Sequence, residues 1–325
     1  MRVLVTGIDG FVGSHLAEFL LRQHDVDIHG TIYDPEPSRL LRPFVSKLTL
    51  HRADVLDSGA IAQLIESLLP DRIIHLAGQA FIPTAVADPA GTFRTNVMGG
   101  VSILDAARSM LRAHKKGPAV LMVSSGEVYG HANSSAGPMV ETMPLSPVNP
   151  YAVSKGAIDI IAQEFHRSMG VDVIVVRPFN HSGPRQSPRF VCSDFGRQFA
   201  QIALGKAPTK LSVGNLDSRR DFTDVRDVVR AYWMLFSRTS VDRIFNVCSG
   251  EAISIRSIIS TLEEVTNIRV ELSQAPDRLR PQEAPLIVGS CGRLQAATGW
   301  SREFTLPQTL TDVFTYWKEE LTTQP

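Results

Sequence analysis

The chain has 325 residues, 43% of them hydrophobic, with 33 Lys and Arg against 33 Asp and Glu for a formal net charge of +0. That length suits one large domain or two modest ones around a substantial core. The balanced charge excludes a general attraction to nucleic acid or to an anionic membrane, so any anionic ligand must be held by local arginines. The three cysteines are an odd number without metal-ligand spacing, and the nine histidines show none either. There is no signal-peptide pattern and no run of about 20 apolar residues, so a reduced, cytoplasmic protein without a bound metal or a membrane span is expected.

Short apolar runs alternate with segments of helical period through the first half. Residues 3–6 read as a strand and 11–23 as a helix with Leu16, Phe19 and Leu20 on one face. Residues 26–33 and 48–52 read as the second and third strands, and 58–69 as a helix. Then come a fourth strand at 72–76, a long helix at 90–111, a fifth strand at 119–124, a helix at 151–169 and a sixth strand at 171–177. Apolar strands of this kind, separated by helices, predict an α/β fold: a Rossmann-type doubly wound parallel sheet covered on both faces. After residue 177 Gly, Pro, Arg and Ser accumulate, and 245–247 reads as a strand rejoining the main sheet. The expected division is therefore discontinuous. Residues 1–178 with about 222–248 form the nucleotide-binding domain, and about 179–221 with 249–325 form a smaller α/β substrate-binding lobe over the carboxyl ends of the strands.

Gly7-x-x-Gly10-x-x-Gly13 follows the first strand and opens a helix. A pyrophosphate must approach backbone N–H groups there without a Cβ in the way, and Gly13 lets helix and strand pack closely. Asp54, after the third strand, is placed to bind an adenine amino group, and the small residues of Leu76, Ala77 and Gly78 let the backbone pass close to a cofactor. Phe11, Val12, Val55 and Pro178 complete the candidate cofactor contacts. At the end of the second strand Asp34 suits a ribose 2′-OH and hence NAD, whereas Arg39 suits the 2′-phosphate of NADP; both readings stand.

Tyr151 and Lys155 share a helix face at spacing i, i+4. An ammonium beside a phenol favours phenolate, so the tyrosine is expected to exchange a proton near neutral pH. Ser125, just past the fifth strand, is placed to hold the same substrate oxygen.

In this order and at these intervals GIDGFVG, HLAGQ, SSGEVYG, NPYAVSK, RPFN and RRDFTDVRDVV resemble the extended short-chain dehydrogenases/reductases that act on nucleotide-sugars, over about residues 2–317. The resemblance implies Ser125, Tyr151 and Lys155 as the catalytic serine, tyrosine and lysine, with NADP(H) or NAD(H) as cofactor. Longer strings, HLAGQAFIP, RPFNHSGPRQSPRFV, VGNLDSRRDFTDVRDVVRAYW, FNVCSG and RLRPQEAPLIVGS, resemble the GDP-4-keto-6-deoxy-mannose reductases of that family. They imply a GDP-linked 4-keto-6-deoxy sugar as substrate, reduced at C4 to GDP-D-rhamnose, or to the talose isomer if hydride arrives on the other face. Two departures stand out. The chain has HSGPRQ where the subgroup carries HIGPGQ, which makes Ser182 and Arg185 non-standard beside the expected substrate entrance. IYD ends the second strand where an arginine would favour NADP.

A nucleotide diphosphate needs forked cations and amide donors. Asn180 resembles the family's diphosphate ligand, and Arg220 and Arg280 resemble its phosphate-binding arginines. Glu283 suits a ribose hydroxyl; Arg189 and Val191 are candidates near the base, and Asn215 joins the substrate set. Asp221, Asp224, Arg226 and Asp227 are expected to fix the loop carrying Arg220, and His181 to be structural. Helix 95–111, with Val97, Val101, Leu104 and Leu111 as its stripe, and the Tyr151 helix are expected to make a homodimer contact as in relatives, although burial within the monomer explains the stripe equally well.

SSGEVYG separates two chemistries. GDP-mannose 4,6-dehydratases resemble the chain and carry a Glu at the position of Glu127, where it removes the C5 proton. They also have Gln-Asp in the glycine loop, where this chain has Phe11-Val12, and an acid or hydroxyl at position 126, where it has glycine. Glu127 is therefore expected to line the sugar site without abstracting a proton, and Ser124 and Tyr129 to pack or position. A 4-epimerase and a non-catalytic nucleotide-binding protein are further alternatives; the intact Ser125, Tyr151 and Lys155 set argues against the last.

Overall fold

Val3, Leu4 and Val5 are all fully buried, yet Val3 and Val5 join one hydrophobic core while Leu4 joins another. A strand buried on both faces must divide its side chains in this way. The computed structural model describes residues 1–130, 137–275 and 286–323. Strands β1 (Arg2–Thr6), β2 (Asp27–Ile32), β3 (Thr49–Arg52), β4 (Arg72–His75), β5 (Ala119–Val123) and β6 (Asp172–Pro178) form where the apolar runs predict them. The chain continues through β7 (Asn180–Ser182), β8 (Lys210–Val213), β9 (Arg219–Asp224) and β10 (Ile244–Val247) to β11 (Ala252–Ser254), β12 (Glu271–Gln274) and β13 (Leu286–Ile287).

Seven strands make one sheet in the order β10-β6-β5-β4-β1-β2-β3, every pair parallel. The order reverses between β1 and β4, and the carboxyl ends of strands at such a switch point are where open α/β sheets bind ligands. One face is covered by α1 (Phe11–Leu20), the other by α2 (Ser58–Leu68). The helices that follow are α3 (Ile82–Ala87), α4 (Pro89–Phe93), α5 (Gly99–His114), α6 (Pro150–Met169), α7 (Val191–Ala203), α8 (Val225–Met234), α9 (Ile255–Thr266), α10 (Gly292–Thr298) and α11 (Leu306–Thr323). Side chains of α5 and α6 join α2, and those of α8 and α10 with Trp300 join α1. A third core unites α7, α9 and α11 with β8 and β9.

Local chemistry sets the ends of the element that carries Tyr151. Asn149 accepts from Ala152 N–H at 2.9 Å, Pro150 occupies the first turn, and Gly170 ends α6 with φ +74. Side-chain cap, early proline and left-handed glycine are the ordinary start and stop of a helix. The single helix expected over 90–111 is instead interrupted by a π turn at Arg94–Met98, between α4 and α5. The extra residue in that turn accompanies a buried polar side chain, Asn96, which bonds outside its own helix.

The acidic residues around Arg220 hold the fold. Asp221 accepts from the backbone of Ser249, Gly250 and Gly289 at 2.7, 3.0 and 3.2 Å. Asp224 caps α8 and takes the Thr309 hydroxyl at 2.7 Å, which ties α11 to it. Asp227 accepts from Arg230 and from the backbone of Glu303 and Phe304. Among the described residues no helix is long and apolar enough to cross a membrane, and no cluster of His, Cys, Asp or Glu is arranged to hold a metal.

Candidate active site

Gly7 has φ +67, and a Cβ there would lie 2.9 Å from Ala77 Cα. At Gly13 a Cβ would lie 2.4 Å from the Gly7 carbonyl oxygen. Both positions therefore require glycine, one for conformation and contact, the other for contact alone. Gly10 N–H donates to the Gly7 carbonyl at 3.1 Å, and no side chain caps the start of α1, so the first-turn amides there stay available to an anion. The predicted glycine turn and helix start are thus present, with Phe11 and Val12 as the first helical residues.

The exit of β4 is fastened to this loop. Thr6 Oγ1 accepts from Ala77 N–H at 3.2 Å and lies 2.7 Å from His75 Nδ1. Burial pushes His75 down to about 3, so its ring is neutral. Asn96 accepts from Gln79 N–H at 2.8 Å and donates to the Gln79 carbonyl at 3.0 Å and to Ser154 Oγ at 2.9 Å. Leu76, Ala77 and Gly78 are held from both ends. Thr6, His75 and Asn96 escape a motif-based reading; a lone Asn within an apolar helical stripe is the one sequence signal that points to them.

At the end of β2, Asp34 is exposed, and the following turn folds back so that Ser38 N–H donates to Asp9 Oδ2 at 3.4 Å. Burial, opposed by Ser38 and aided by the charge of Asp34, raises the Asp9 carboxyl above its usual range. Arg39 is ion-paired with Glu320 of α11. After β3, Asp54 Oδ1 accepts from Leu56 N–H at 2.9 Å, and Val55 packs beneath Gly99. Pro178 closes β6 opposite Val247.

Ser125 leaves β5 in an extended conformation, and its Oγ accepts from Glu127 N–H at 3.1 Å and bonds the Tyr151 phenol. Burial pushes Tyr151 up to about 12; the bond to Ser125 works against this and the Glu127 charge adds to it. Lys155 Nζ donates to the Val123 carbonyl at 2.9 Å, and burial pulls the ammonium down to about 8. Desolvation is the largest effect on the phenol, and Lys155 is turned to the end of β5, so Tyr151 keeps its proton at neutral pH. A Cβ on Gly78 would lie 3.8 Å from Lys155 Nζ, so the lysine stands beside the Leu76–Gly78 loop.

The rest of SSGEVYG is structural. Ser124 Oγ donates to the Lys155 carbonyl at 3.2 Å. Tyr129 is fully buried, donates to Asn246 Oδ1 at 2.7 Å and accepts from Arg177, which is itself salt-bridged to buried Asp159 at 2.7 Å. A Cβ on Gly126 would meet the Phe179 ring.

On the substrate side, Asn180 and Arg220 come together because β7 pairs with β9: Asn180 lies opposite Phe222, two residues from Arg220. Arg220 is buried, with Nη1 donating to the Arg219 carbonyl at 2.9 Å. His181 stacks on Phe11 of the glycine loop at 6.1 Å and is tied to the Phe179 carbonyl at 3.0 Å. Arg189 is exposed over the Phe81 ring at 5.5 Å, one residue before Phe190, which also touches Phe81, and Val191 begins α7. Asn215 Oδ1 accepts from Asp217 N–H at 3.0 Å, within its own turn. Arg280 and Glu283 lie outside the described residues. Arg185, one of the two departures noted in the sequence, is engaged with the glycine-loop helix. It adopts φ +73 and reaches α1, donating to His15 Nδ1 at 2.7 Å and Glu18 Oε2 at 2.6 Å, while Ser182 donates to Gln186 at 2.8 Å.

Residues 4–313 match the family model for GDP-mannose 4,6 dehydratase. The chain belongs to that family. As an extended short-chain dehydrogenase/reductase of this GDP-mannose 4,6 dehydratase family, it is 37% identical over 320 residues to the GDP-6-deoxy-D-mannose reductase of Pseudomonas aeruginosa, covering 98% of each chain. The structure of RMD from Pseudomonas aeruginosa complexed with NADPH matches with a TM-score of 0.84 and 36% identity, covering 98% of this chain and 99% of that one. UDP-glucose 4-epimerase of Thermus thermophilus in complex with NAD matches with a TM-score of 0.85 and 27% identity, covering 98% and 99%. The chain is thus an α/β oxidoreductase-type enzyme of nucleotide-sugar metabolism, as its motifs imply.

Proposed function

We propose that the chain reduces the C4 ketone of GDP-4-keto-6-deoxy-D-mannose to GDP-D-rhamnose. A nicotinamide cofactor, NADPH or NADH, supplies hydride to C4 when bound. Gly7, Gly10 and Gly13 offer the backbone cradle for its pyrophosphate, and Leu76, Ala77 and Gly78 the wall beside it. Tyr151, protonated at neutral pH, donates its proton to the oxygen that becomes an alkoxide, and Ser125 Oγ holds that oxygen in place. Lys155, fixed by the Val123 carbonyl, contributes its charge beside the site. Asn180 and Arg220, on paired strands, hold the diphosphate together with Arg280, and Arg189, Val191 and Glu283 serve the nucleoside.

The observation that carries this reading over dehydration is Gly126. The acid or hydroxyl that dehydratases carry there has no room beneath Phe179 unless the ring moves, so position 126 does not supply the second group of a dehydration pair. Epimerisation and reduction to the talose isomer are the remaining alternatives. The deciding experiment is NMR identification of the product after the keto-sugar has been turned over with reduced cofactor. A D-rhamno product supports the proposal; a D-talo product replaces it.

The proposal extends to a cytoplasmic homodimer with a separate substrate lobe. Met98, Val153 and Ile160 are 53%, 39% and 56% exposed on the α5–α6 side, an apolar surface suited to a second copy. Leu104 is no part of that surface, because it is fully buried in the monomer core. Sedimentation of Ile160→Glu as a monomer, against a dimeric parent, is the expected result.

A further inference from the structure

Cys248 is the first residue after β10 and is fully buried; Cys291 immediately precedes α10 and is 9% exposed. Their side chains are hydrogen-bonded to each other. The backbone around both is tied to shared acceptors. Asn246 Nδ2 donates to the carbonyls of Met139 at 2.9 Å and Ser290 at 3.4 Å, and Ser290 N–H donates to Met139 at 2.9 Å. Asp221 takes the N–H groups of Ser249 at 2.7 Å and Gly289 at 3.2 Å. A Cβ on Gly289 would lie 2.8 Å from Cys248 Sγ, so the strand end and the approach to α10 are packed directly together.

We infer that Cys248 and Cys291 are a reversible dithiol–disulfide modification site, oxidised by a small peroxide and reduced by thiols. A disulfide needs sulfurs about 2.05 Å apart, and the packing of Cys248 Sγ against Gly289, two residues before Cys291, brings the two side chains together in the folded chain. Their roles differ. Cys291 is 9% exposed and Cys248 fully buried, so a small peroxide reaches Cys291 first. The Cys248 thiol donates to the Cys291 sulfur, which lowers Cys291 and raises Cys248, and Cys291 is the attacking thiolate. Its sulfur takes one oxygen of hydrogen peroxide as the O–O bond breaks, which leaves a sulfenic acid and hydroxide. Cys248 sulfur then bonds Cys291 sulfur, the S–O bond breaks, and the Cys248 proton leaves with that oxygen as water. Two thiols and one peroxide give one disulfide and two waters.

The cross-link closes the loop 249–290, which contains β11, α9, β12 and β13. Joining a long loop restricts the unfolded chain, so oxidation raises the thermal midpoint. Cys192 lies apart in the third core, among Phe195 and Phe199, and serves as an internal control.

The test is independent of any substrate. The full chain is treated with dilute hydrogen peroxide, alkylated under denaturing conditions, digested and examined by mass spectrometry. The expected result is a peptide pair linked through Cys248 and Cys291, with Cys192 alkylated, dithiothreitol reversing the link, and a thermal midpoint a few degrees higher than in the reduced chain. Cys291→Ser and Cys248→Ala should each lose both the link and the shift. The inference is overturned if Cys291 proceeds to sulfinic acid while Cys248 remains alkylatable, if the link runs through Cys192, or if both thiols resist peroxide in the native chain.

Discussion

A Cβ on Gly126 would lie 2.9 Å from ring carbons of Phe179, which is itself only 4% exposed and stacked on Tyr129. Position 126 therefore admits hydrogen and nothing larger unless the ring moves. Gly126→Ser should destabilise the chain by about 1–3 kcal/mol, the usual cost of overpacking, and should create no dehydratase activity. Phe179→Leu in the same chain should recover part of the loss. Chemical denaturation of the single and double variants measures both effects, and a Gly126→Ser chain as stable as the parent would contradict the packing argument.

Tyr151 at about 12 and Lys155 at about 8 give the pH dependence its sign. Reduction needs the proton on Tyr151, which is present throughout the neutral range. It also uses the charge on Lys155, which is lost as pH rises through about 8. kcat/KM should be level below that point and fall roughly tenfold per pH unit above it; an ascending limb near pH 8 would contradict these roles. The linked stability effect has the opposite sense. Between about 8 and the ordinary lysine value of 10.5 the folded chain binds fewer protons than the unfolded chain. The penalty of burying this ammonium, full below that window, is relieved as pH rises through it.

The parts of the site that are legible in the sequence are those whose demands are local. Gly7, Gly10 and Gly13 answer to one turn, and Tyr151 and Lys155 to one helix face. Strands β1, β5 and β6 are equally readable, because each carries a continuous apolar run. What escapes comes from distant segments. Thr6 fastens Ala77, Asn96 fastens Gln79 and Ser154 through a π turn that no periodicity announces, and Arg177 closes on Asp159 and Tyr129. Arg185 escapes for the same reason: its partners, His15 and Glu18, are on α1, far back in the chain. The protonation of Tyr151 follows from burial, which spacing does not reveal.

Glu127 raises the Tyr151 phenol through its charge while its own N–H is held by Ser125. Glu127→Gln removes that charge and leaves the backbone bond. Steady-state assays should show most of kcat retained, with the larger change in KM for the keto-sugar. Loss of all hydride transfer would contradict a positioning role for Glu127 and reopen the dehydratase reading.

Asp34 lies close enough to Asp9 for its charge to be felt there, and Arg39 is occupied by Glu320. A 2′-phosphate meeting both carboxylates is repelled, whereas a 2′-hydroxyl has acceptors. Direct titration, followed by nicotinamide fluorescence, should show NADH binding roughly tenfold tighter than NADPH, although the Pseudomonas aeruginosa relative is complexed with NADPH. Asp34→Ala should narrow the ratio. Tighter binding of NADPH by the parent chain would overturn this assignment.

The most direct measurement uses two parallel reactions. One contains GDP-4-keto-6-deoxymannose with reduced nicotinamide cofactor, and the other GDP-mannose with oxidised cofactor. Reduction predicts one cofactor oxidised per keto-sugar consumed in the first, abolished by Tyr151→Phe, and no keto-sugar in the second. Keto-sugar appearing from GDP-mannose without net change in the cofactor would contradict it.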